Sequence, residues 1–183
     1  MLLSSQPTPI RYSKRAILDD ATLISLLNTA MVGRIGVIAE GEPYIVPMNY
    51  AYEHATGGPL GRVIIHGANQ GRMLRALAAN PVVCFEIDTY LATIPDPVLC
   101  EYDTAYASVI YRGHARLLTN LEERTMALRV FARKYASPEK ADALKQKTVE
   151  RFQSSSGAHT AVVEIVLETM AGKQRPSPLP NIE

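Results

Sequence analysis

Hydrophobic residues recur along this chain at two spacings, and the first spacing is helical. Between residues 19 and 33 they recur every three or four positions, which predicts an amphipathic helix. Asp19 or Asp20 can cap its first turn, and Gly33 is expected to stop it. The apolar stripe consists of Leu23, Ile24, Leu27, Ala30 and Met31.

Three more helices are predicted from their end signals. One runs over 71–79 and stops at Asn80-Pro81, because the residue before a proline disfavours helical backbone. Thr119 and Asn120 precede two glutamates, a capping box that opens a helix to about residue 135. Pro138 at a first helical position starts another helix, which fades near 154–157.

The second spacing is that of β-strands. Runs rich in β-branched and aromatic residues predict five or six strands, at 34–39, 44–53, 62–66, 82–88, 105–118 and 160–168. The turn 40–43 joins the first two strands as a hairpin, 54–61 is a loop, and 91–104 is the longest connection. Pro47 lacks a ladder donor and marks an edge, a bulge or a place where something else meets the backbone.

The element order indicates the fold class. Sequential strands with hairpin turns and a few helices predict an α+β protein, mainly β, in which a small antiparallel barrel or sheet carries helices outside. We expect one domain over residues 19–172, a flexible N-terminal arm over 1–18 and a C-terminal tail over 173–183.

Composition narrows the class of function. A net charge of +1 over 183 residues argues against nucleic acid as the main partner, since there is no basic excess to neutralise phosphates. No segment approaches the ~20 apolar residues that span a bilayer, and the start of the chain lacks a signal-peptide core. Cys84 and Cys100 have neither zinc nor disulfide spacing, which favours a cytoplasmic protein, and Cys84 is expected to be buried.

One motif carries chemistry, the stretch VIIHGANQGRML at 63–74. A strand, a small-residue turn and a basic helix start can hold an anion, because the first N–H groups of a helix are unpaired and lie at its positive dipole end. The histidines are scattered, so the sequence offers no nucleophile motif and no metal site. Taken alone, the stretch is also compatible with an ordinary strand-to-helix turn.

Three stretches in this order, YIVPMNYAY, IIHGANQGRML and YASVIYRGHARLL, resemble the pyridoxamine 5'-phosphate oxidase-related family of FMN-binding split barrels. The likeness is greatest to its flavin-nucleotide-binding and nitroimidazole-resistance branch, and it covers about residues 20–172. The resemblance implies a six-stranded antiparallel Greek-key split barrel with helices packed outside. It also implies a homodimer with two FMN sites at the subunit interface.

The resemblance also implies site residues. The backbone around Pro47 would lie along the isoalloxazine edge, with Met48, Asn49 and Tyr50. The ribityl chain and N5 side would meet His66, Gly67 and Ala68, and the phosphate would meet Gly71, Arg72 and Met73. A flavin, either the subunit's own or that of the partner subunit, would face Tyr106, Ser108 and Val109. Many family members carry Lys at the position of Met73, so Arg72, with Arg75 as a second candidate, must supply the charge here.

These expectations favour an FMN-dependent oxidoreductase that passes electrons between a pyridine nucleotide and a small acceptor such as a quinone or nitro compound. Two alternatives stay open at this point. The chain could be a flavin-binding sensor or carrier without turnover, or a haem-binding or haem-degrading split barrel with a histidine as axial ligand. The sequence does not name the substrate, and it identifies no catalytic residue.

Overall fold

The protein is an antiparallel barrel with helices packed against it. The structure is a computed structural model that describes residues 10–54 and 60–176. Its strands are β1 Ala16–Ile17, β2 Val32–Ala39, β3 Glu42–Asn49, β4 Ala51–Glu53, β5 Arg62–Ala68, β6 Val82–Ile94, β7 Asp103–Leu117 and β8 Thr160–Arg175. Its helices are α1 Asp20–Thr29, α2 Arg72–Ala79, α3 Leu121–Tyr135, α4 Pro138–Asp142 and α5 Gln146–Arg151, with 3-10 turns at Ser13–Arg15 and Leu99–Glu101.

The strand order explains why the sheet closes. It runs β3-β2-β6-β7-β8-β5-β4, with every neighbouring pair antiparallel, and β1 pairs separately with β8. β3 and β4 lie at opposite ends of this order, yet a single residue, Tyr50, joins them. The sheet must therefore curl until its two ends meet. The α+β antiparallel split barrel expected from the sequence is confirmed, although eight strands replace the expected six.

The main core fills the barrel, and α1 packs against it. Alternate residues of β2 and β6, among them Ile35 and Phe85, point inward and are fully buried. Leu27 of α1 joins the same cluster. β5 is covered on both sides, because Ile64 packs outward against Ala127 of α3 in a second cluster. This double cover accounts for three consecutive buried residues at 63–65.

The helix starts follow the capping signals. The side chain of Asp19 accepts a bond from the Thr22 N–H at 2.8 Å, so Asp19 is the cap of α1. Asn120 caps α3 in the same way, accepting from the N–H groups of residues 122 and 123 at 2.9 and 3.1 Å. Gly33 does not stop α1, which ends at Thr29, but lies in β2. A Cβ there would fall 2.1 Å from the ring of Phe85, so close packing requires the glycine.

Several expected boundaries need correction. β1 pairs with β8, and Ile17 is buried, so the end of the expected 1–18 arm belongs to the barrel; β8 likewise runs past residue 172 to Arg175. The expected connection 91–104 shrinks to 95–102, because the residues on either side of it pair as the hairpin of β6 and β7. The expected strand 44–53 breaks at Tyr50, and the helix after Pro138 divides into α4 and α5.

Cys84 is the other correction, since it is exposed rather than buried. Its strand neighbours Val83 and Phe85 point into the core, so the alternation of side chains puts Cys84 on the outer face of the barrel. Residues 1–9, 55–59 and 177–183 lie outside the described part, and with them half of the expected arm and most of the expected loop and tail. No helix within 10–54 or 60–176 is long and apolar enough to cross a membrane.

Candidate functional site

The first predicted stretch lies where β3 ends. β3 is at one end of the strand order, so one of its edges has no ladder neighbour among the described residues, and Pro47 fits such a strand. Met48 is half-buried and packs against the core. The amide of Asn49 is exposed and donates to the Met31 carbonyl at 3.2 Å. Met48 and Asn49 are therefore the last two residues of a strand at the end of the sheet.

Tyr50 differs from its neighbours because it is completely buried. Its hydroxyl donates to the Leu27 carbonyl at 2.7 Å, and its ring meets Phe85 edge-on, with centroids 5.1 Å apart. Its N–H and C=O both bond to the hydroxyl of Tyr135, at 3.0 and 2.8 Å. The backbone of Tyr50 therefore has its hydrogen-bond partner within the protein. This corrects the expectation that the Tyr50 backbone hydrogen-bonds to the edge of a flavin.

The second predicted stretch ends β5 and opens α2. His66, Gly67 and Ala68 are the last residues of β5, and α2 starts at Arg72 after Gly71, whose φ is +137°. Among the residues that the structure describes, no side chain caps α2, which leaves its first N–H groups open to an anion. A Cβ on Gly67 would come within 3.8 Å of the Met48 methyl group. The fold therefore brings the first and second stretches together, although they are distant in sequence.

Arg72 lies at this helix start, where its guanidinium is held by the β2–β3 hairpin. It pairs with Glu40 at 3.2 Å and more loosely with Glu42 at 3.9 Å, and it lies over the Tyr44 ring at 4.8 Å. Within the described part of the chain its Nε is buried and has no hydrogen-bond partner. An orphaned donor beside open helix N–H groups suits a phosphate. Met73, in contrast, packs its side chain against the core.

The third predicted stretch divides between the two faces of β7. Tyr106 and Ser108 are partly exposed, and Ser108 faces Asp88 and Lys173 across the neighbouring strands. Val109 is fully buried in the core, so it does not face a cofactor on the surface that Ser108 occupies. This is a correction with a simple cause, because adjacent residues of a strand point to opposite faces. β7 also lies three strands from β3 in the sheet.

Sequence reasoning missed a fourth contributor, an aromatic pair on α3. Phe131 meets the ring of His66 edge-on at 4.4 Å and stacks on Tyr135 at 4.9 Å. The two aromatics stand four residues apart and share one helix face. Their spacing on a predicted helix was visible in the sequence. Their partners were not visible, because the Phe131–His66 contact and the Tyr135–Tyr50 hydrogen bond each join parts of the chain more than 60 residues apart.

Burial shifts the pKa of two groups around this site, His66 and Lys134. It lowers the pKa of His66 below its ordinary value, so the neutral imidazole is favoured. Burial also lowers the pKa of Lys134 to about 8. The Lys134 ammonium lies 3.7 Å from the centre of the Tyr50 ring and donates to the carbonyls of Leu27 and Ala30, at 3.2 and 2.5 Å. These two carbonyls belong to the C-terminal turn of α1, where a cation is favoured.

A separate cleft lies at the start of α3. It measures about 480 Å³ and is lined by Arg62, Arg116, Asn120, Glu122, Glu123 and Met126. Both arginines bond to the buried carboxylate of Glu164, so this charge is satisfied within the protein. None of the predicted site residues lines the cleft. No group of three or more His, Cys, Asp or Glu that could hold a metal ion occurs within 10–54 and 60–176.

Comparison with protein families then gives one result that covers almost the whole chain. The model of the pyridoxamine 5'-phosphate oxidase family matches residues 19–174. The chain belongs to this family. A search of curated proteins gave no match.

Solved structures agree with the family assignment. A proposed 5-nitroimidazole antibiotic resistance protein from Bacteroides thetaiotaomicron is 25% identical, with 86% of this chain and 85% of that chain covered and a TM-score of 0.64. The flavocytochrome Anf3 from Azotobacter vinelandii is 20% identical, with coverages of 98% and 78% and a TM-score of 0.69. A FAD- and heme-binding protein from Mycobacterium smegmatis is 17% identical, with coverages of 90% and 77% and a TM-score of 0.69. The last two share the fold with this member of the pyridoxamine 5'-phosphate oxidase family.

Proposed function

We propose that this member of the pyridoxamine 5'-phosphate oxidase family binds FMN and acts as an oxidoreductase between a pyridine nucleotide and a small organic acceptor. The observation that carries the proposal is the convergence of the β3 end, the β5 end and the uncapped start of α2. Flavin binding named for proteins of the same fold supports it.

The phosphate has a suitable place at the start of α2. Gly71 opens the helix without a capping side chain, and Arg72 adds a guanidinium whose Nε lacks a partner in the described structure. Arg72 would hold the phosphate through charge-assisted bonds, together with the backbone N–H groups of residues 72–74. Met73 contributes its backbone only, because its side chain packs against the core.

The flavin ring would lie between the two strand ends. Met48 and Asn49 offer a strand edge, Gly67 leaves room for close approach, and His66 presents its imidazole edge-on to Phe131. When bound, FMN supplies the hydride and single-electron chemistry, and the protein supplies binding and orientation. This division of roles agrees with the absence of a nucleophile motif in the sequence.

We also propose that the protein is a homodimer, so that the exposed face bearing Tyr106 and Ser108 faces the flavin of the partner subunit. The outer sheet face supports this with exposed apolar side chains, Ile38, Ile45, Val82 and Ile110. A groove of about 440 Å³ runs between the first three of them. An interface above about 1,000 Å² is expected, and light scattering at micromolar concentration measures the assembly. A flavin-loaded monomer would exclude this arrangement.

The first experiment is the visible spectrum of freshly purified protein, with the released cofactor identified by mass. Flavin bands and the mass of FMN are expected, whereas a Soret band without flavin would replace the proposal with haem binding. Consumption of NADH or NADPH with added quinone or nitro acceptors then separates an oxidoreductase from a flavin carrier. A flavin-loaded protein that gives no turnover with any acceptor would leave only the carrier function.

The second experiment tests the phosphate site. Arg72→Ala is expected to weaken FMN about tenfold or more, since a hydrogen bond to a charged group contributes about 1.5–3 kcal/mol. Riboflavin, which has no phosphate, should bind almost as before. Arg151→Ala, an exposed arginine on α5, is the matched control for the lost charge. Equal losses for FMN and riboflavin would mean that Arg72 acts through the fold rather than on the phosphate.

A further inference from the structure

The chain between β3 and β4 has an unusual hydrogen-bonding arrangement. β3 pairs with β2 up to Asn49, and β4 pairs with β5 from Ala51 onward, so Tyr50 belongs to neither ladder. Tyr50 is nevertheless fully buried. A buried N–H and C=O outside a sheet need partners from elsewhere.

One hydroxyl group from α3 supplies both partners. The Tyr135 hydroxyl accepts from the Tyr50 N–H at 3.0 Å, and it lies 2.8 Å from the Tyr50 carbonyl and 3.0 Å from the Met31 carbonyl, to either of which it can donate. The Asn49 amide donates to the same Met31 carbonyl at 3.2 Å. Tyr135 therefore links Tyr50, between β3 and β4, to Met31, which immediately precedes β2.

The same helix face also reaches the other predicted cofactor-binding strand. Phe131 stacks on Tyr135 at 4.9 Å and meets the His66 ring at 4.4 Å. A continuous row of rings thus runs from the break at Tyr50 to the end of β5. Lys134, in the same turn of α3, donates hydrogen bonds to carbonyls at the C-terminal end of α1. The end of α3 is therefore anchored on three elements at once.

We propose that Tyr135 is a positioning residue for the flavin site, which holds Met48 and Asn49 at a fixed distance from His66 through its hydroxyl and its stack on Phe131. The proposal rests on the proposed function, since it assigns Tyr135 a role in flavin affinity. Tyr135 acts through the Tyr50 backbone and through Phe131, and it is not a catalytic residue. Because the hydroxyl acts at the ring end of the site, its loss should weaken FMN and riboflavin alike.

The substitution Tyr135→Phe tests this, because it removes the hydroxyl and keeps the ring stack. Tyr111→Phe is the matched control: its hydroxyl is buried and has no partner within the described residues, and the ring belongs to the core. Two quantities are measured in each variant and in the wild type. They are the dissociation constants of FMN and riboflavin by flavin fluorescence, and the hydrogen exchange rate of the Tyr50 amide without ligand.

For Tyr135→Phe we expect both dissociation constants to rise by about tenfold and by equal factors. The Tyr50 amide should also exchange about tenfold faster, because its acceptor is gone. Tyr111→Phe should change neither quantity. This pattern differs from that of Arg72→Ala, which is expected to affect FMN and to spare riboflavin.

The positioning role is overturned if Tyr135→Phe keeps both affinities within about twofold of the wild type, whatever happens to the amide. It is also overturned if the loss falls on FMN alone. If the wild type binds neither flavin, the proposed function has failed, and exchange at Tyr50 alone then tests whether Tyr135 holds the Tyr50 backbone. Faster exchange in Tyr135→Phe supports that role, and unchanged exchange overturns it.

Discussion

Glu40 is expected to compete with the phosphate for Arg72. Its carboxylate lies 3.2 Å from the Arg72 guanidinium, on the two-residue turn between β2 and β3. A phosphate bound at the start of α2 would have to displace this carboxylate or share the arginine with it. Glu40→Gln removes the competing charge and keeps the length of the side chain. We therefore expect the variant to bind FMN more tightly than the wild type does.

The expected gain in FMN affinity depends on how exposed the Arg72–Glu40 ion pair is. The side chains of Arg72 and Glu40 are 36% and 69% exposed, so water and salt screen the pair. An exposed ion pair contributes about 0.2–1 kcal/mol, which corresponds to a dissociation constant lowered about 1.4- to 5-fold. The gain should shrink in 1 M salt, where the Debye length falls to about 3 Å.

Flavin fluorescence titration of Glu40→Gln with FMN and with riboflavin measures this effect. Riboflavin affinity should not change, and Glu42→Gln should give a smaller gain, because its carboxylate lies 3.9 Å from the guanidinium. Glu150→Gln, at an exposed position on α5, controls for the change in net charge. The reasoning fails if Glu40→Gln binds FMN no better than Glu150→Gln does, or if riboflavin gains equally.

Two further predictions concern stability. Glu164 is 3% exposed and bonds to Arg62 and Arg116, so Glu164→Gln should lower the free energy of unfolding, measured in urea, by about 3 kcal/mol. Glu168 lies in an exposed pair with His114, so Glu168→Gln should lower it by less than about 1 kcal/mol. Similar losses in the two variants would contradict this prediction. Burial lowers the pKa of Lys134 to about 8, below the ~10.4 of an unfolded lysine. Between these two pKa values the unfolded state binds more protons than the folded state, so the free energy of unfolding should rise with pH there. Lys134→Met should remove this rise, and identical pH profiles for wild type and variant would refute the shift.

Local signals in the sequence determined the framework of this protein. The side chains of Asp19 and Asn120 cap the helices that their positions predicted, because a cap is made between residues two or three apart. Runs rich in β-branched and aromatic residues located the six strands of seven or more residues in the described part of the chain, since strand propensity depends on the local residue types. Gly71 and Arg72 open α2 as predicted. The family resemblance rested on the same stretches and is confirmed over residues 19–174.

Only the tertiary structure decided which of these residues meet. It showed that the end of β3 approaches the end of β5, that Arg72 pairs with Glu40, and that Tyr50 is a core residue bonded to Tyr135. Such contacts depend on how the sheet closes, and no local sequence pattern identifies the distant residue that bonds to a backbone group outside the ladders. Sequence periodicity reports the direction of a side chain, whereas its partner is fixed only when the barrel and its covering helices pack together.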